Sequence, residues 1–363
     1  MKAWRFYGIG DMRLDDIPVP SPKPGWVLLK ARTMQPSVTE AIRAKGGATA
    51  ASDLIRKRIA EEAPVQLFGH EYCAEVVEVG EGVTNVKVGD RVAGRTNIPC
   101  GECSWCLSGM KYRCRSGWTV GRQISAAMAE FFVLPADVLS VLPDTVSDSE
   151  GACIQPLSGC VTSIAVADIR LGDTVAVMGQ GVMGLSVMQL ARINGAGTVI
   201  GVDIRKENLR LSKELGSDYQ VDASEVDPVA AIREITHGFG ADVVFEAAGG
   251  SPEEGLAGNK TLNQAMDIVA DAGKIVQIAH FDGPFQFNAN KMRSRAINYL
   301  FPEGPTPRQL DYTVQVVADG RVRVKPMITQ ILEGIEQIPK AFEITGNKAK
   351  YGVVNPAQVV ISR

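Results

Sequence analysis

The sequence has little of what would point to a charged polymer, a membrane or a disulfide framework. Lys and Arg number 38 against 41 Asp and Glu, for a net charge of −3. Without a basic surplus there is no general attraction to phosphate backbones or anionic lipid, so nucleic acid and membrane surfaces are excluded as default partners and a small neutral or polar substrate is expected. No apolar run of about eighteen residues occurs, and the opening MKAWRFYGIG lacks the basic and apolar regions of a signal peptide. A cytoplasmic protein is expected. Histidine is scarce as well: only positions 70, 237 and 280 carry it. Cysteine is present seven times, but the number is odd and four fall between Cys100 and Cys114. That crowding suits a metal in a reducing compartment better than disulfides.

What remains is an ordinary globular composition, 45% apolar and 22% charged, in 363 residues, enough for two domains with separate cores. The first 150 residues carry short β-rich segments, Trp26 to Ala31, Ala74 to Val79 and Asp90 to Ala93, punctuated by Gly, Pro and Asp. From about Ile164 the texture becomes apolar strands (Thr174 to Met178, Val199 to Asp203, Val243 to Ala247, Lys274 to Ile278) alternating with helical stretches, the pattern of βαβ units and a parallel sheet. The tail, with a helix-like Pro307 to Asp319 and a strand-like Gln358 to Ile361, is free to return to the first domain, because the second is complete near Tyr299. Ser52 to Glu62 reads as an inserted helix with Ser52 as its N-cap, either a solvated surface helix or a substrate lid.

Two motifs carry chemistry. Gly179-Gln180-Gly181-Val182-Met183-Gly184 is a G-x-G-x-x-G between the strand TVAVM and a helical run. Gly179 suits the tight turn, Gly181 the approach of backbone N–H groups to a pyrophosphate, and Gly184 close helix–strand packing. The strand TVIGVD then ends in Asp203, where a carboxylate accepts from ribose hydroxyls and repels a 2′-phosphate; NAD is favoured over NADP, with Arg205 the residue that leaves NADP open. Val182, Met183, Ile204, Ala248, Ala279 and His280 complete the expected cofactor surface. In PCGECSWCLSGMKYRC, Cys100, Cys103, Cys106 and Cys114 are spaced C-x2-C-x2-C-x7-C, which suits a closed structural Zn²⁺, with an iron–sulfur cluster as the rival. Cys73, Cys153 and Cys160, in apolar surroundings, are expected to be packed thiols.

Taken together, Gly69-His70-Glu71 followed by AEVVEVGEGVTNVKVGDRV, the four-cysteine lobe, the glycine motif with Asp203, and ILEGIEQIPKAFEI resemble the zinc-type medium-chain dehydrogenase/reductase family of alcohol, sorbitol and threonine dehydrogenases. The resemblance spans nearly the whole chain. It implies an α/β protein with a GroES-like β-barrel catalytic domain (1–160 and 300–363, metal lobe 95–116), a doubly wound Rossmann domain (161–299), and a homodimer or homotetramer pairing around Ala296 to Phe301. It also implies hydride transfer between a nicotinamide and a small alcohol or ketone over a second, catalytic zinc.

The departures concern that second zinc. Gln35 stands at the position of a cysteine ligand and Gln155 at the third ligand position, and only His70 and Glu71 match. Amide oxygen is a poor zinc donor beside thiolate or carboxylate, so a catalytic zinc is expected to be weak or absent. Ser37 matches the hydroxyl residue that contacts substrate, and Glu40 stands where a relay histidine is often found, either a buried proton carrier or a solvated surface Glu. Three readings stay open: an alcohol/ketone dehydrogenase using Ser37, Glu40, His70, Glu71, Gln35 and Gln155; a zinc-independent reductase of an activated C=C or C=N bond; and a non-catalytic dinucleotide-binding protein.

Overall fold

The computed structural model describes residues 1–47, 49, 51–250, 258–281 and 285–362. They divide into two compact units, Met1–Ser158 with Gly304–Gly320 and Val324–Arg363, and Gly159–Glu303 with Arg321–Arg323.

The first unit contains β1 (Lys2–Gly8), β2 (Asp11–Asp16), β3 (Trp26–Gln35), α1 (Val38–Ala44), α2 (Ser52–Glu62), β4 (Glu71–Val79), β5 (Arg91–Gly94), β6 (Asn97–Ile98), β7 (Trp118–Thr119), β8 (Phe131–Pro135) and β9 (Leu139–Val141). The second contributes β10 (Thr174–Met178), β11 (Thr198–Asp203), β12 (Tyr219–Asp222), β13 (Ala241–Glu246), β14 (Val269–Gln277) and β15 (Asn298–Leu300), after which β16 (Ile331–Glu333) and β17 (Gln358–Val360) return to the first.

β3 organises the first unit. It pairs antiparallel with β4, β8 and β17, and the sheet runs β16-β17-β3-β4-β5-β9 with β8 beside β3. Val27, Leu29, Ala31 and Met34 of β3 enter the core with Val76 and Val359, so apolar burial fixes which face of each strand looks inward. The tail docks here through Val359 opposite Met34.

In the second unit the strand order is β12-β11-β10-β13-β14-β15 and every pairing is parallel. Both faces of such a sheet are covered, which explains the continuous apolar runs: Val175, Ala176 and Val177 are all fully buried. β10 and β13 are neighbours from opposite halves of the order, so the crevice at their carboxyl ends is the topological switch point, where ligands of such sheets bind.

The inserted helix α2 forms over Ser52–Glu62, but its N-cap is Ala51, not Ser52. The chain enters through a left-handed Ala51 (φ 71°), and the Ser52 hydroxyl faces back into the preceding turn, accepting from Thr49 N at 2.8 Å and donating to Gly47 O at 2.9 Å. Ile55 and Ile59, one helical turn apart, are buried, so α2 is anchored to the core on one face. Among the described residues no helix is long and apolar enough to cross a membrane.

Candidate active site

The glycine loop of the second unit is shaped for a diphosphate. Gly179 takes a left-handed φ of 89°, and a Cβ on Gly184 would lie 1.8 Å from Gly179 O, so the helix Val182–Ile193 approaches its strand as only glycine allows. By contrast, a Cβ on Gly181 would meet nothing within 4 Å. That open side lies at the start of the same helix, whose N-cap supplies no side-chain hydrogen bond. Val182 and Met183, both half-buried, form the helix's first turn, where unpaired N–H groups and the helix dipole favour an anion.

Asp203 is oriented by three donors: Gln180 N at 2.6 Å, Arg205 N at 2.8 Å and Asn208 Nδ2 at 3.0 Å. Ile204 beside it is exposed. Across the loop, Ala248 packs on Gly179, Gly250 N donates to His280 O at 2.7 Å, and Gly249 packs against Ala279. The structure therefore brings Gly179, Ala248, Ala279 and His280 to one edge of the sheet. His237 lies elsewhere, exposed in a turn at the amino-terminal end of the strands. Sequence reading missed Glu246, whose buried carboxylate accepts from Ala248 N, Gly249 N and Thr261 Oγ1 and so braces this edge. A lone acid closing a strand carries no sequence signal.

The four lobe cysteines converge. Four of the six Sγ–Sγ separations are 3.6, 3.6, 3.8 and 3.9 Å, and all lie within 4.8 Å. Sulfurs about 2.3 Å from one zinc form a tetrahedron with edges of about 3.8 Å. The fit is to a single ion, since an iron–sulfur cluster spreads its thiolates over several irons and further apart. The N–H groups of Cys100 and Cys103 point at Cys114 Sγ and Cys100 Sγ, both at 3.3 Å, and supply the hydrogen bonds that thiolates need. Burial opposes ionisation of Cys114, but the Cys100 N–H and the neighbouring thiols outweigh it and bring the group down to about 6. Cys73, Cys153 and Cys160 are buried, and burial pushes all three thiols well up, as packed side chains.

A second polar cluster gathers where β3 ends and β4 begins. The register sets Gln35, last in β3, opposite Glu71, first in β4, and Gln35 Nε2 donates to Glu71 Oε2 at 2.6 Å. The amide oxygen of Gln35 is committed elsewhere, to Asn355 Nδ2 at 2.8 Å, Gln358 Nε2 at 2.9 Å and the Cys153 thiol at 3.6 Å. With its lone pairs occupied, Gln35 has no atom to give a metal. Gln155, in the helix Ile154–Ala167, is half-buried, and its side-chain amide makes no hydrogen bond among the described residues.

Glu40 is buried, not a solvated surface acid. It is the third residue of α1 in a capping box with Ser37: Glu40 N donates to Ser37 Oγ at 3.2 Å, and Ser37 N to Glu40 Oε2 at 3.1 Å. Its other oxygen accepts from Gly69 N at 3.0 Å and lies 2.5 Å from His70 Nδ1. His70 Nε2 in turn is 3.8 Å from Glu71 Oε1. Burial works against a charged imidazole, but the Glu40 carboxylate outweighs it and holds His70 above its ordinary value. Burial likewise pushes Glu71 up to about 7, against the pull of His70. Among the described residues the four cysteines are the only group of three or more His, Cys, Asp or Glu whose ligand atoms lie within 4.8 Å of one another. The His70 cluster offers two free donors, His70 Nε2 and Glu71 Oε1, and this set does not fit a four-coordinate zinc.

Comparison with known proteins agrees with both units. A family model described as an alcohol dehydrogenase GroES-like domain matches residues 36–144, and one described as a zinc-binding dehydrogenase matches residues 182–301. A sorbitol dehydrogenase of Halalkalibacterium halodurans is 35% identical over 271 residues, 74% of this chain and 76% of its own length. An L-threonine 3-dehydrogenase of Pyrococcus furiosus is 30% identical over 348 residues, 95% of this chain and 94% of its own. Among solved structures, a zinc-binding dehydrogenase from Sinorhizobium meliloti 1021 bound to NADP superposes with a TM-score of 0.85 at 28% identity, covering 99% of this chain and 98% of that one.

Proposed function

The chain belongs to the zinc-type medium-chain dehydrogenase/reductase family, and from that premise we propose that it is an NAD(P)-dependent oxidoreductase of small alcohols or polyols that handles the substrate proton without a second zinc. The observation that carries this reading is the 2.5 Å contact of His70 with the buried Glu40. A bound nicotinamide supplies the hydride acceptor. His70 takes the hydroxyl proton, Glu40 fixes the ring through Nδ1 and stabilises the imidazolium, and Glu71 lies within reach of Nε2 as a further proton carrier. Ser37 Oγ and the Gln155 amide are the donors available to the developing alkoxide.

The dinucleotide takes its diphosphate at Gly181 and the first turn formed by Val182 and Met183. Asp203 sits where an adenosine ribose would present its hydroxyls, and its charge supports NAD over NADP. Zinc on Cys100, Cys103, Cys106 and Cys114 has no open coordination position and its contribution is structural. A homo-oligomer built through the β15 edge, where Phe301 is exposed, and a cytoplasmic location complete the proposal.

The test is nicotinamide reduction by the purified enzyme on a panel of polyols and secondary alcohols. H70N and E40Q should each lower kcat by roughly 10² to 10⁴-fold. Turnover of activated alkenes or imines with no turnover of any alcohol would replace this reading by the reductase one, which the lack of a second metal ligand set favours. Asp203→Ala should move the NADP to NAD ratio of kcat/KM toward NADP; an unchanged ratio would remove Asp203 from cofactor selection.

A further inference from the structure

Two arginines, Arg43 and Arg122, flank the His70 cluster. Gly121, in the turn after β7, takes a φ of 84°, and a Cβ there would lie 3.0 Å from both Glu40 Oε1 and His70 Nδ1. The turn therefore rests on the dyad itself. Its next residue is Arg122, and Arg43 of α1 faces the same place, buried at 5% exposure with Nε donating to Thr49 Oγ1 at 2.7 Å. Burial, then Arg122, press the Arg43 guanidinium down to about 10, and burial also lowers Arg122. The Glu40 carboxylate pulls both guanidinium groups the other way. Its two oxygens already serve Ser37 N, Gly69 N and His70 Nδ1.

The backbone of Arg122 is pinned while its head group is not. Its carbonyl accepts from Arg58 of α2, whereas its guanidinium forms no hydrogen bond or ion pair among the described residues. Placing a second cation beside a partly buried first one costs free energy that an anion returns in charge-assisted hydrogen bonds.

We propose that Arg122, backed by Arg43, recognises a carboxylate or phosphate ester on the substrate, so that the alcohol oxidised beside His70 belongs to an anionic molecule. This rests on the dehydrogenase reading of the same site. The inserted helix α2 then has a role as well, because through Arg58 it holds the turn that presents Arg122.

The experiment uses matched substrate pairs with NAD⁺, a polyol against its monophosphate and a diol against the corresponding hydroxy acid, on wild type, R122Q and R122K. Wild type should prefer the anionic member of at least one pair by about tenfold or more in kcat/KM, and the pair concerned identifies phosphate or carboxylate. R122Q should collapse that ratio mainly through KM, and R122K should restore part of it. Equal or better use of the neutral members, with a ratio unmoved in R122Q, overturns the proposal and leaves the dehydrogenase reading intact. If no alcohol is oxidised, the dehydrogenase reading fails, and thermal protection decides the anion site separately. With NAD⁺ saturating, inorganic phosphate or acetate should raise the Tm of wild type and not of R122Q; equal shifts overturn the site.

Discussion

The cysteine lobe and the His70 cluster lie in the same unit, and in a zinc-type dehydrogenase each is a place for a metal. Their difference is one of unused lone pairs. In the lobe the sulfurs face one another at 3.6–3.9 Å, with backbone N–H groups as their hydrogen-bond donors. At the cluster most oxygens are occupied by donors of the protein, Gln35 Oε1 by Asn355, Gln358 and Cys153, and Glu40 by Ser37, Gly69 and His70, which leaves Glu71 Oε1 as the open one. Residue types that can bind a metal do so only where folding leaves their electron pairs pointing at a common empty point. The cluster instead satisfies itself, and what it retains is the capacity to hold and move a proton.

The contrast can be broken most forcefully at the lobe. Cys103→Ser should take zinc from about one ion per chain to none and lower Tm by about 10 °C, since a structural ion contributes folding free energy directly. Stoichiometric zinc in that variant, measured by elemental analysis, would sink the assignment. Next in size, His70→Asn should lose two or more powers of ten in kcat yet keep its full zinc content. A parallel loss of metal would mean the two regions are not the separate devices described.

Gln35→Leu probes the self-satisfied network from within. It strands buried donors on Asn355 and Gln358 and should cost about 2–3 kcal/mol by denaturant unfolding, with metal content unchanged. The smallest effect is expected where the same sheet meets solvent. Burial would raise Asp148, but ion pairs with Arg32 at 2.8 Å and Arg91 at 3.0 Å hold it below the usual carboxylate range. A depressed folded-state pKa gives stability that is present above the unfolded value, about 3.9, and disappears as pH falls below it. The Tm advantage of wild type over D148N should therefore be steady from pH 7 to 5 and shrink toward pH 3; an advantage that grows on acidification would refute the pairing.

Legibility followed locality. The glycine loop, Asp203, the four cysteines and the returning tail were readable because each depends on neighbours in sequence or on a strand's apolar period. Ser52 fails as a cap because an unusual left-handed Ala51 redirects its hydroxyl. Glu40 could be a solvated acid or a buried one on its pattern alone. Arg43, Arg122, Asn355 and Gln358 gave no signal, being single polar residues without spacing or motif.

The order of residues by itself determined the two-unit architecture, the parallel sheet with its phosphate loop, and a thiolate tetrahedron whose ligands span fifteen positions. Only the tertiary structure decided that Gln35 commits its oxygen to Asn355, that Glu40 is buried against His70, and that the turn carrying Arg122 packs on both Glu40 and His70. The physical reason is distance along the chain. A hydrogen bond or a stranded charge is a property of two groups in space, and residues 35 and 355 meet only after β17 has paired with β3.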